Sequence, residues 1–220
     1  MIITIDGPAG AGKSTAARNL AHALSIPFLD TGAMYRALTL KALEELDDLG
    51  DPQALAGIAR RADLHLVPHG EGTTVQLDGR DISRDIRTQR VTDNAHYIAS
   101  CPAVREVLVD KQRQVGAELG SFVTEGRDQG SVVFPAAEHK FFILASPEIR
   151  ARRRVEQLQA AGEEADYEDI LQKIIQRDQR DSSRAVAPLV KPDGAVEIDT
   201  SDTTPQQVIQ QMLAVIGKGS

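Results

Sequence analysis

Several residue types are scarce in this chain of 220 residues, and each scarcity excludes a class of protein. The single cysteine, Cys101, excludes an internal disulfide framework and a cysteine metal cluster, and we expect it to be a small buried apolar residue. No run of about 18 apolar residues is present, so the sequence offers no candidate for a transmembrane helix. The histidines share no zinc-ligand spacing, which argues against a zinc site.

Basic residues are fewer than acidic ones: the chain has 25 Lys and Arg residues against 32 Asp and Glu residues, which gives a net charge of -7. Nucleic-acid-binding surfaces are usually basic, so we expect no nucleic-acid partner. The arginines nevertheless concentrate in two short segments, which contain Arg150, Arg152, Arg153 and Arg154 in one and Arg177, Arg180 and Arg184 in the other. Such clusters suit a small, highly charged ligand, although for Arg150 and Arg152 a solvated helix face is an equal alternative.

The start of the chain is typical of a strand rather than of a basic region followed by an apolar one. We therefore expect no targeting segment, no membrane partner and a soluble, cytoplasmic protein. The length is sufficient for a large core, and we interpret residues 1–220 as one domain with an inserted subdomain. No sustained heptad pattern demands more than a monomer.

The most informative stretch follows the first strand. Residues 7–14, Gly-Pro-Ala-Gly-Ala-Gly-Lys-Ser, have the spacing of a phosphate-binding P-loop and lie between an apolar run at 2–5 and a helical pattern at 14–24. Glycines let backbone N–H groups wrap a polyphosphate, Lys13 adds a positive charge, and the Ser14 hydroxyl can hold Mg²⁺. The predicted ATP-binding residues are Gly7, Pro8, Ala9, Gly10, Ala11, Gly12, Lys13, Ser14 and Thr15.

Apolar runs and helical patterns alternate along the rest of the chain. This alternation predicts an α/β fold, a P-loop NTPase three-layer sandwich whose parallel central sheet is covered by helices on both faces. Further strands are predicted at 26–29, 121–125, 140–145 and 195–199. Helices are predicted at 31–46, 102–118, 147–160, 167–184 and 204–216.

One region breaks this alternation. Residues 63–82 contain short segments of alternating polarity at 64–67 and 74–77, followed by the turn pair Asp78-Gly79. These features predict a small antiparallel sheet in place of another strand and helix of the parallel sheet.

The domain organisation follows from that break. We interpret about 57–97 as an inserted subdomain with a helix from Ile86 onward, and about 1–56 and 98–220 as the core. The polar segment 160–166 lies between two arginine-bearing helices and is expected to be a mobile surface connection.

Several motifs in fixed order carry a resemblance to a known family. They are Thr-Ile-Asp-Gly-Pro-Ala-Gly-Ala-Gly-Lys-Ser at 4–14, Asp-Thr-Gly-Ala-Met-Tyr-Arg at 30–36, Asn94-Ala95 before Pro-Ala-Val-Arg at 102–105, Glu-Gly-Arg-Asp at 125–128 with Val-Val-Phe-Pro at 132–135, Gln-Leu-Gln at 157–159, and Arg-Asp-Gln-Arg-Asp-Ser-Ser-Arg-Ala-Val-Ala-Pro-Leu at 177–189. Over nearly its whole length the chain resembles the cytidylate kinase family of bacterial nucleoside monophosphate kinases. The resemblance implies transfer of the γ-phosphate of ATP to CMP or dCMP, with Mg²⁺ as cofactor.

Part of the acceptor site can be placed without the resemblance. Tyr35 and Arg36 lie just inside a helix that follows a strand end, and Arg127 follows Gly126 at another strand end, so these positions face the ligand crevice. A simple ion pair between Arg127 and Asp128 is the alternative. The resemblance implies that the CMP phosphate is bound by Arg36, Arg127 and Arg184 with Thr31 and Tyr35, the ribose by Arg177 and Asp181, and the cytosine by Arg105 and Asp128.

Base selectivity has a physical rationale. Asp128 can accept from the cytosine amine while Arg105 donates to the ring acceptors, and uracil would mispair both charges. The position where the family commonly has a base-contacting Ser holds His96, which we include among the substrate-binding residues. The alternatives are tolerance of UMP and a surface histidine without a role.

The catalytic set implied by the resemblance is Lys13, Arg36, Arg127, Arg153, Arg154 and Arg184. Phosphoryl transfer depends mainly on positioning and electrostatic stabilisation, so these charges need no covalent nucleophile among them. Arg153 and Arg154 are expected to close over the transferring group. A lid at about 155–168 would close only on both nucleotides and so exclude water.

Other functions share parts of this pattern. A kinase for UMP, AMP or shikimate would have the same P-loop and lid, and a P-loop NTPase switch would use water as the acceptor. A nucleotide-binding module without activity would have no need for the charged residues on the acceptor side. Measured turnover with different acceptors separates these possibilities.

Overall fold

The computed structural model describes residues 1–69 and 72–217 of the chain. The strands of the described residues are β1 (Ile2–Asp6), β2 (Phe28–Asp30), β3 (Leu64–His69), β4 (Gly72–Leu77), β5 (Arg80–Asp81), β6 (Phe122–Gly126), β7 (His139–Leu144) and β8 (Val196–Asp199). Five of them form the central sheet in the order β2-β6-β1-β7-β8. All pairs in this sheet are parallel, as predicted from the alternation of strands and helices.

Helices join the strands. The α-helices of the described residues are α1 (Lys13–Leu24), α2 (Thr31–Glu45), α3 (Pro52–Arg61), α4 (Gln89–Ser100), α5 (Pro102–Leu119), α6 (Pro147–Ala160), α7 (Tyr167–Ser182) and α8 (Pro205–Ile216). Local sequence explains many of their first turns. Ser146 accepts a hydrogen bond from Ile149 N before α6, and Thr204 forms a reciprocal capping box with Gln207 in α8.

The sheet is covered on both faces, which gives the predicted three layers. Successive residues of β6 point in opposite directions, so Phe122 packs in the cluster that contains residues of α2, α3 and α5, whereas Val123 packs with residues of α1 and α8. Both side chains are fully buried. The α/β sandwich is therefore confirmed, and its parallel strands end at one common edge.

A second, antiparallel sheet of β3, β4 and β5 lies beside the first. Asp78 and Gly79 form the turn between β4 and β5, both at positive φ (51° and 79°), which is the geometry that this residue pair favours. The predicted small sheet is thus present. Residues 70–71, between β3 and β4, lie outside the described residues, and the proposed subdomain boundaries at 57 and 97 stay predictions.

Three features of the fold differ from the sequence expectations. Helix α3 was not predicted, although Asp51 caps it by accepting from Gln53 N and Pro52 opens it. Helix α7 ends at Ser182 and not at 184, because the chain turns back and Leu189 N donates to the Asp181 carbonyl. A π-helical turn at Gln129–Val133 was also not predicted.

The structure also bears on two features of the composition, the single cysteine and the lack of long apolar runs. Cys101 is a free, buried residue of the core, as predicted. Within the described residues, no helix is long and apolar enough to cross a membrane.

Candidate active site

The P-loop leaves β1 and enters α1, in the order that the sequence predicted. Gly7 has a φ of 147°, and a Cβ at this position would lie 2.0 Å from the Ile143 carbonyl oxygen of β7. Gly12, the residue before α1, has a φ of 91°. Side chains at these two positions would clash or strain the backbone, so glycine is required for the loop to take this path.

The carbonyl oxygens of the P-loop bond to other parts of the protein. Lys13 Nζ donates to Pro8 O at 2.7 Å, Arg150 Nη1 to Ala9 O at 3.1 Å, and Thr200 Oγ1 to Ala11 O at 2.9 Å. These bonds fix the loop with its carbonyl groups turned toward protein donors. Its N–H groups then remain for an anion, as expected for a phosphate-binding loop.

Lys13 lies at the centre of the site and is only 4% exposed. Burial, with the field of Arg127 second, lowers the pKa of Lys13 to about 7, and Glu125, whose Oε2 lies 3.9 Å from Nζ, acts in the opposite direction. Because the Arg127 charge acts on Lys13, the P-loop and Arg127 belong to one site. At neutral pH the free lysine is therefore only partly protonated.

Glu125, the fourth residue of β6, is a site residue that the sequence analysis did not assign. Its carboxylate accepts from Ser14 Oγ at 2.7 Å, and its backbone carbonyl accepts from Thr31 Oγ1 at 2.7 Å. An acidic residue at the carboxyl end of a buried strand was a usable signal. The missing information was the register, which places Glu125 beside Ile5 of β1.

Arg127 and Arg184, which the resemblance predicts to bind the acceptor phosphate, share one carboxylate, that of Asp181. Arg127 Nε donates to Asp181 Oδ2 at 2.9 Å, and Arg184 Nη2 donates to the other oxygen. Burial acts to raise the pKa of Asp181, but the charges of Arg127 and Arg184 outweigh it and hold the pKa below its usual value. The alternative ion pair between Arg127 and Asp128 is not formed.

Arg105 and Asp128, the residues predicted to contact the cytosine base, form a buried ion pair. Arg105 Nη2 donates to Asp128 Oδ2, and both side chains are about 5% exposed. The Arg105 guanidinium lies over the Tyr35 ring, 5.5 Å from its centroid. Burial raises the pKa of Asp128, and Arg105 opposes that effect.

Arg36 is held by a carboxylate that the sequence analysis left unassigned. Its Nη2 donates to Asp30 Oδ2 at 3.1 Å, and Asp30 also caps α2 by accepting from Ala33 N at 3.0 Å. Burial raises the pKa of Asp30, and the Arg36 charge acts against it. One aspartate thus both starts the helix and orients the arginine on it.

Arg177 adds positive charge without a partner of its own. Burial, followed by the field of Arg127, lowers the pKa of Arg177 to about 10. Within the part of the chain that the structure describes, no carboxylate forms an ion pair with it. A polyanion entering the site would meet this uncompensated charge.

Asp6, the last residue of β1, connects the start of the P-loop to the segment after Asp128. Its two carboxylate oxygens accept from Gln129 N at 2.8 Å and Gly130 N at 2.7 Å, just after Arg127 and Asp128. Burial raises the pKa of Asp6 to about 6, against the lowering effect of these two hydrogen bonds. This residue, also unassigned from the sequence, fixes the start of the π-helical turn.

The arginines of α6 differ from the sequence expectation. Arg150 is 3% exposed and forms a bidentate pair with Asp178 of α7, so the alternative of a solvated face is wrong for this residue. Arg153 donates to Thr200 Oγ1 at 3.1 Å and to the Thr200 carbonyl, beside the P-loop. Arg154 donates to Gln89 Oε1 at 3.3 Å. Neither Arg153 nor Arg154 contacts Lys13 in this arrangement.

His96 is not brought to the Arg105 and Asp128 pair. Its Nδ1 lies 2.8 Å from the Asp93 carbonyl oxygen, and its ring lies 4.1 Å from that of Tyr97. With Tyr97 it lines a cavity of about 200 Å³ formed by residues 49–55 and 96–102. Its contact with a base stays a prediction.

The side chains beside the P-loop offer oxygen atoms that could bind a metal ion. Among the described residues, no group of three or more His, Cys, Asp and Glu side chains is arranged to hold a metal ion. Ser14 Oγ and the Glu125 carboxylate lie together beside the P-loop, and such hard oxygen ligands suit Mg²⁺ when a nucleotide supplies the rest.

Comparison with known sequences matches almost all of this chain. The family model described as cytidylate kinase matches residues 3–218. A cytidylate kinase of Desulforamulus reducens is 48% identical over 99% of this chain and 97% of its own length. Those of Caldanaerobacter subterraneus subsp. tengcongensis and Bacillus subtilis are 46% and 43% identical, over 99% of this chain and 95% and 97% of theirs.

Solved structures with a similar fold are much more distant in sequence. A shikimate kinase from Bacteroides thetaiotaomicron aligns with a TM-score of 0.52 at 14% identity, over 99% of this chain and 98% of its own. An uncharacterised protein from Eubacterium ventriosum aligns with a TM-score of 0.55 at 16% identity, over 99% and 98%. These likenesses support the fold alone.

Proposed function

This chain belongs to the cytidylate kinase family, and we propose from that premise that it transfers the γ-phosphate of ATP to CMP or dCMP, giving ADP and CDP or dCDP. The reaction forms a bond from an acceptor phosphate oxygen to the γ-phosphorus and breaks the bond to the β,γ-bridging oxygen. The leaving group is ADP, and no covalent enzyme intermediate is needed.

The observation that carries the proposal is that the two halves of the site meet at the end of β6, where Glu125 accepts from Ser14 Oγ at 2.7 Å, lies 3.9 Å from Lys13 Nζ and is followed two residues later by Arg127. Arg127 and Arg177 both act on the Lys13 charge, so acceptor-side arginines converge on the donor loop. A site that only hydrolysed nucleotide would have no use for such charges beyond the γ-phosphate. Convergence of this kind is expected where two phosphates must meet.

We assign the donor side to the residues of the P-loop. Backbone N–H groups of the P-loop residues other than Pro8, which has none, surround the β and γ phosphates of ATP, and Lys13 stabilises the charge that develops during transfer. Binding of the polyphosphate stabilises the protonated form of Lys13, whose free pKa is about 7. Arg150, fixed by Asp178, keeps the Ala9 carbonyl turned out of the site.

We assign the acceptor phosphate to Arg36, Arg127 and Arg184, with Thr31 and Tyr35 nearby. In the free protein these arginines pair with Asp30 and Asp181. A phosphate offers the same bidentate geometry as a carboxylate and more charge, so it can compete for the guanidinium groups. Arg177 and Asp181 are assigned to the ribose.

We assign the cytosine to Asp128 and Arg105. The base amine donates to Asp128 while Arg105 donates to the ring nitrogen and carbonyl, so the base inserts into an existing ion pair. Uracil presents a carbonyl where cytosine has the amine and would face Asp128 unfavourably. The site therefore favours cytosine over uracil.

The family implies a metal-dependent nucleotide kinase, and we propose Mg²⁺ as the metal, held by Ser14 and Glu125 together with the nucleotide. The ion would neutralise phosphate charge when bound. We also propose that the segment at about 155–168 acts as a lid, with Arg153 and Arg154 at its base. Its closure would exclude water from the transferring group.

The test is ATP turnover with a panel of acceptors, namely CMP, dCMP, UMP, AMP and shikimate, with product identified by chromatography. We expect CDP and dCDP as the main products, with UMP a poorer acceptor. Preferred phosphorylation of UMP, AMP or shikimate would contradict the assignment of Arg105 and Asp128 to cytosine. If none of these acceptors is phosphorylated, the kinase assignment itself is contradicted.

A further inference from the structure

The π-helical turn at Gln129–Val133 directly follows Asp128, the residue assigned to the cytosine amine. Two bonds of the turn end on that aspartate, since Val132 N and Val133 N both donate to the Asp128 carbonyl, at 2.9 and 3.1 Å. A single turn leaves its first N–H groups and its last carbonyl groups without partners inside the turn. The segment therefore depends on contacts from outside to keep its shape.

Opposite charges supply those contacts at the two ends. At the first end, the Asp6 carboxylate accepts from the first two N–H groups of the turn. At the last end, Arg113 of α5 donates from Nε to the Val133 carbonyl at 3.1 Å and from Nη2 to the Val132 carbonyl at 2.9 Å. Such a guanidinium fork forms two charge-assisted bonds in a fixed geometry. An anion thus holds the N–H end and a cation holds the carbonyl end.

The route from Arg113 to the base pocket passes through the same two valines. Their carbonyl groups accept from Arg113, while their N–H groups donate to the Asp128 carbonyl. The Asp128 side chain pairs with Arg105 in a buried position. If the last carbonyl groups of the turn are released, the N–H groups that fix the Asp128 backbone loosen with them. The Asp128 carboxylate then loses its fixed position beside Arg105.

Helix α5 therefore holds Asp128 in two ways. Arg105, near the start of the helix, bonds to the Asp128 carboxylate directly. Arg113, eight residues later, holds the turn whose N–H groups bond to the Asp128 carbonyl. Since an α-helix is stiff, the two attachment points keep a separation of about 12 Å along its axis. One element thus sets both the partner of the carboxylate and the backbone that carries it.

We propose that Arg113, an exposed residue of α5, is a positioning residue for base recognition: it holds the end of the π-helical turn and, through that turn, the Asp128 that contacts the acceptor base. The proposal deepens the proposed function and rests on it, since it takes the base of CMP as the group that Asp128 contacts. The role of Arg113 requires no contact with the substrate.

The experiment compares R113A, D128N and the double variant with wild type, each by its KM for CMP and for ATP. Loss of the two bonds to the turn should raise the KM for CMP about fivefold in R113A. The KM for ATP should stay within about twofold, because the bonds that fix the P-loop carbonyl groups do not involve this turn. The double variant should have a KM for CMP no higher than that of D128N, since both changes act on the same residue.

Two further variants make the comparison specific. K111A removes a positive charge from the same helix, at a position with no ion pair among the described residues, and should leave both KM values unchanged. If R113A does not fold in a thermal scan, R113K takes its place with the same expectation, because lysine keeps the charge but cannot form the fork.

Three kinetic results would overturn the proposal: an unchanged KM for CMP in R113A, an equal rise for both substrates, or additive effects in the double variant. Failure of the proposed function looks different, because wild-type protein would then show no CMP-dependent ADP release. The hold on the turn is still measurable in that case, by backbone hydrogen exchange of residues 129–134 in the free protein. R113A should speed this exchange and K111A should not, and unchanged exchange in R113A would also overturn the proposal.

Discussion

The proposed donor and acceptor halves of the site are built in different ways. The donor half consists of consecutive residues, 7–14, whose carbonyl oxygens bond to buried side chains such as Arg150 and Thr200. The acceptor half consists of arginines from separate segments that pair with carboxylates, as Arg36 does with Asp30 and Arg127 with Asp181. A backbone loop keeps its shape without ligand, whereas an arginine pair can exchange its carboxylate for a phosphate.

The two halves therefore also differ in how their positive charge is compensated before a ligand binds. The donor half is preformed, and its cost is the burial of Lys13, which shows as the lowered pKa. In the acceptor half, carboxylates compensate much of the charge until a substrate arrives. Substitutions on the two sides should therefore affect different kinetic constants.

The largest effect is expected for K13A. Removing the charge that stabilises the transferring phosphoryl should lower kcat by about 100-fold to 1,000-fold, the usual loss for one preorganised electrostatic contact. The measurement is steady-state ADP release with CMP present. Because K13A also loses the bond from Lys13 Nζ to Pro8 O, a thermal scan checks that the variant is folded, and a folded K13A protein with near-normal kcat would contradict the assigned role.

R184A should affect the other half. The loss of a charge-assisted bond to the acceptor phosphate should lower kcat/KM for CMP about 10-fold to 100-fold, with the KM for ATP little changed. R180A provides the matched control, since Arg180 is exposed on the last turn of α7. If R184A unfolds while the acceptor affinity of any folded fraction is normal, Arg184 is only a structural partner of Asp181.

A proton should accompany ATP binding above neutral pH. With a free pKa of about 7, Lys13 is mostly neutral at pH 8, and binding to phosphate restores its charge. Calorimetry in buffers of different ionisation enthalpy should then show uptake approaching one proton at pH 8 and little at pH 6. Affinity for ATP should weaken as the pH rises through this range. K13R, which stays charged, should abolish the uptake, and uptake that persists in K13R would place the proton elsewhere.

The smallest effect is expected for an exposed ion pair on the surface of α7. Lys173 pairs with Asp169 at 2.6 Å, but both side chains are more than half exposed. K173A should leave the urea midpoint of unfolding unchanged, because exposed helix pairs contribute little to stability. Urea denaturation measures this midpoint, and a clear fall in K173A would mean that the exposed pair does stabilise the fold.

Sequence predicted the donor half well because its information is local. The P-loop spacing, the strand before it and the helix after it lie within about two dozen residues, and the periodicity of each element is visible in the sequence. Helix α3 could also have been found, since Asp51 and Pro52 form a typical helix start.

The acceptor half was less accessible because it depends on pairing between distant residues. The sequence predicted Arg127 at the crevice from its position after a strand and Arg184 through the resemblance, but it did not identify Asp181 as their shared partner. Glu125 meets Ser14 across 111 positions of sequence, and that contact follows from strand register. The π-helical turn requires the Asp6 carboxylate as acceptor for two backbone amides, which no local pattern reveals.

The most direct test of the two-sided site is ADP release from ATP by the wild-type protein with and without CMP, together with chromatography of the products. The account predicts that turnover depends on CMP or dCMP and that the phosphate appears as CDP or dCDP. Equal ADP release without an acceptor, with free phosphate as the product, would contradict it.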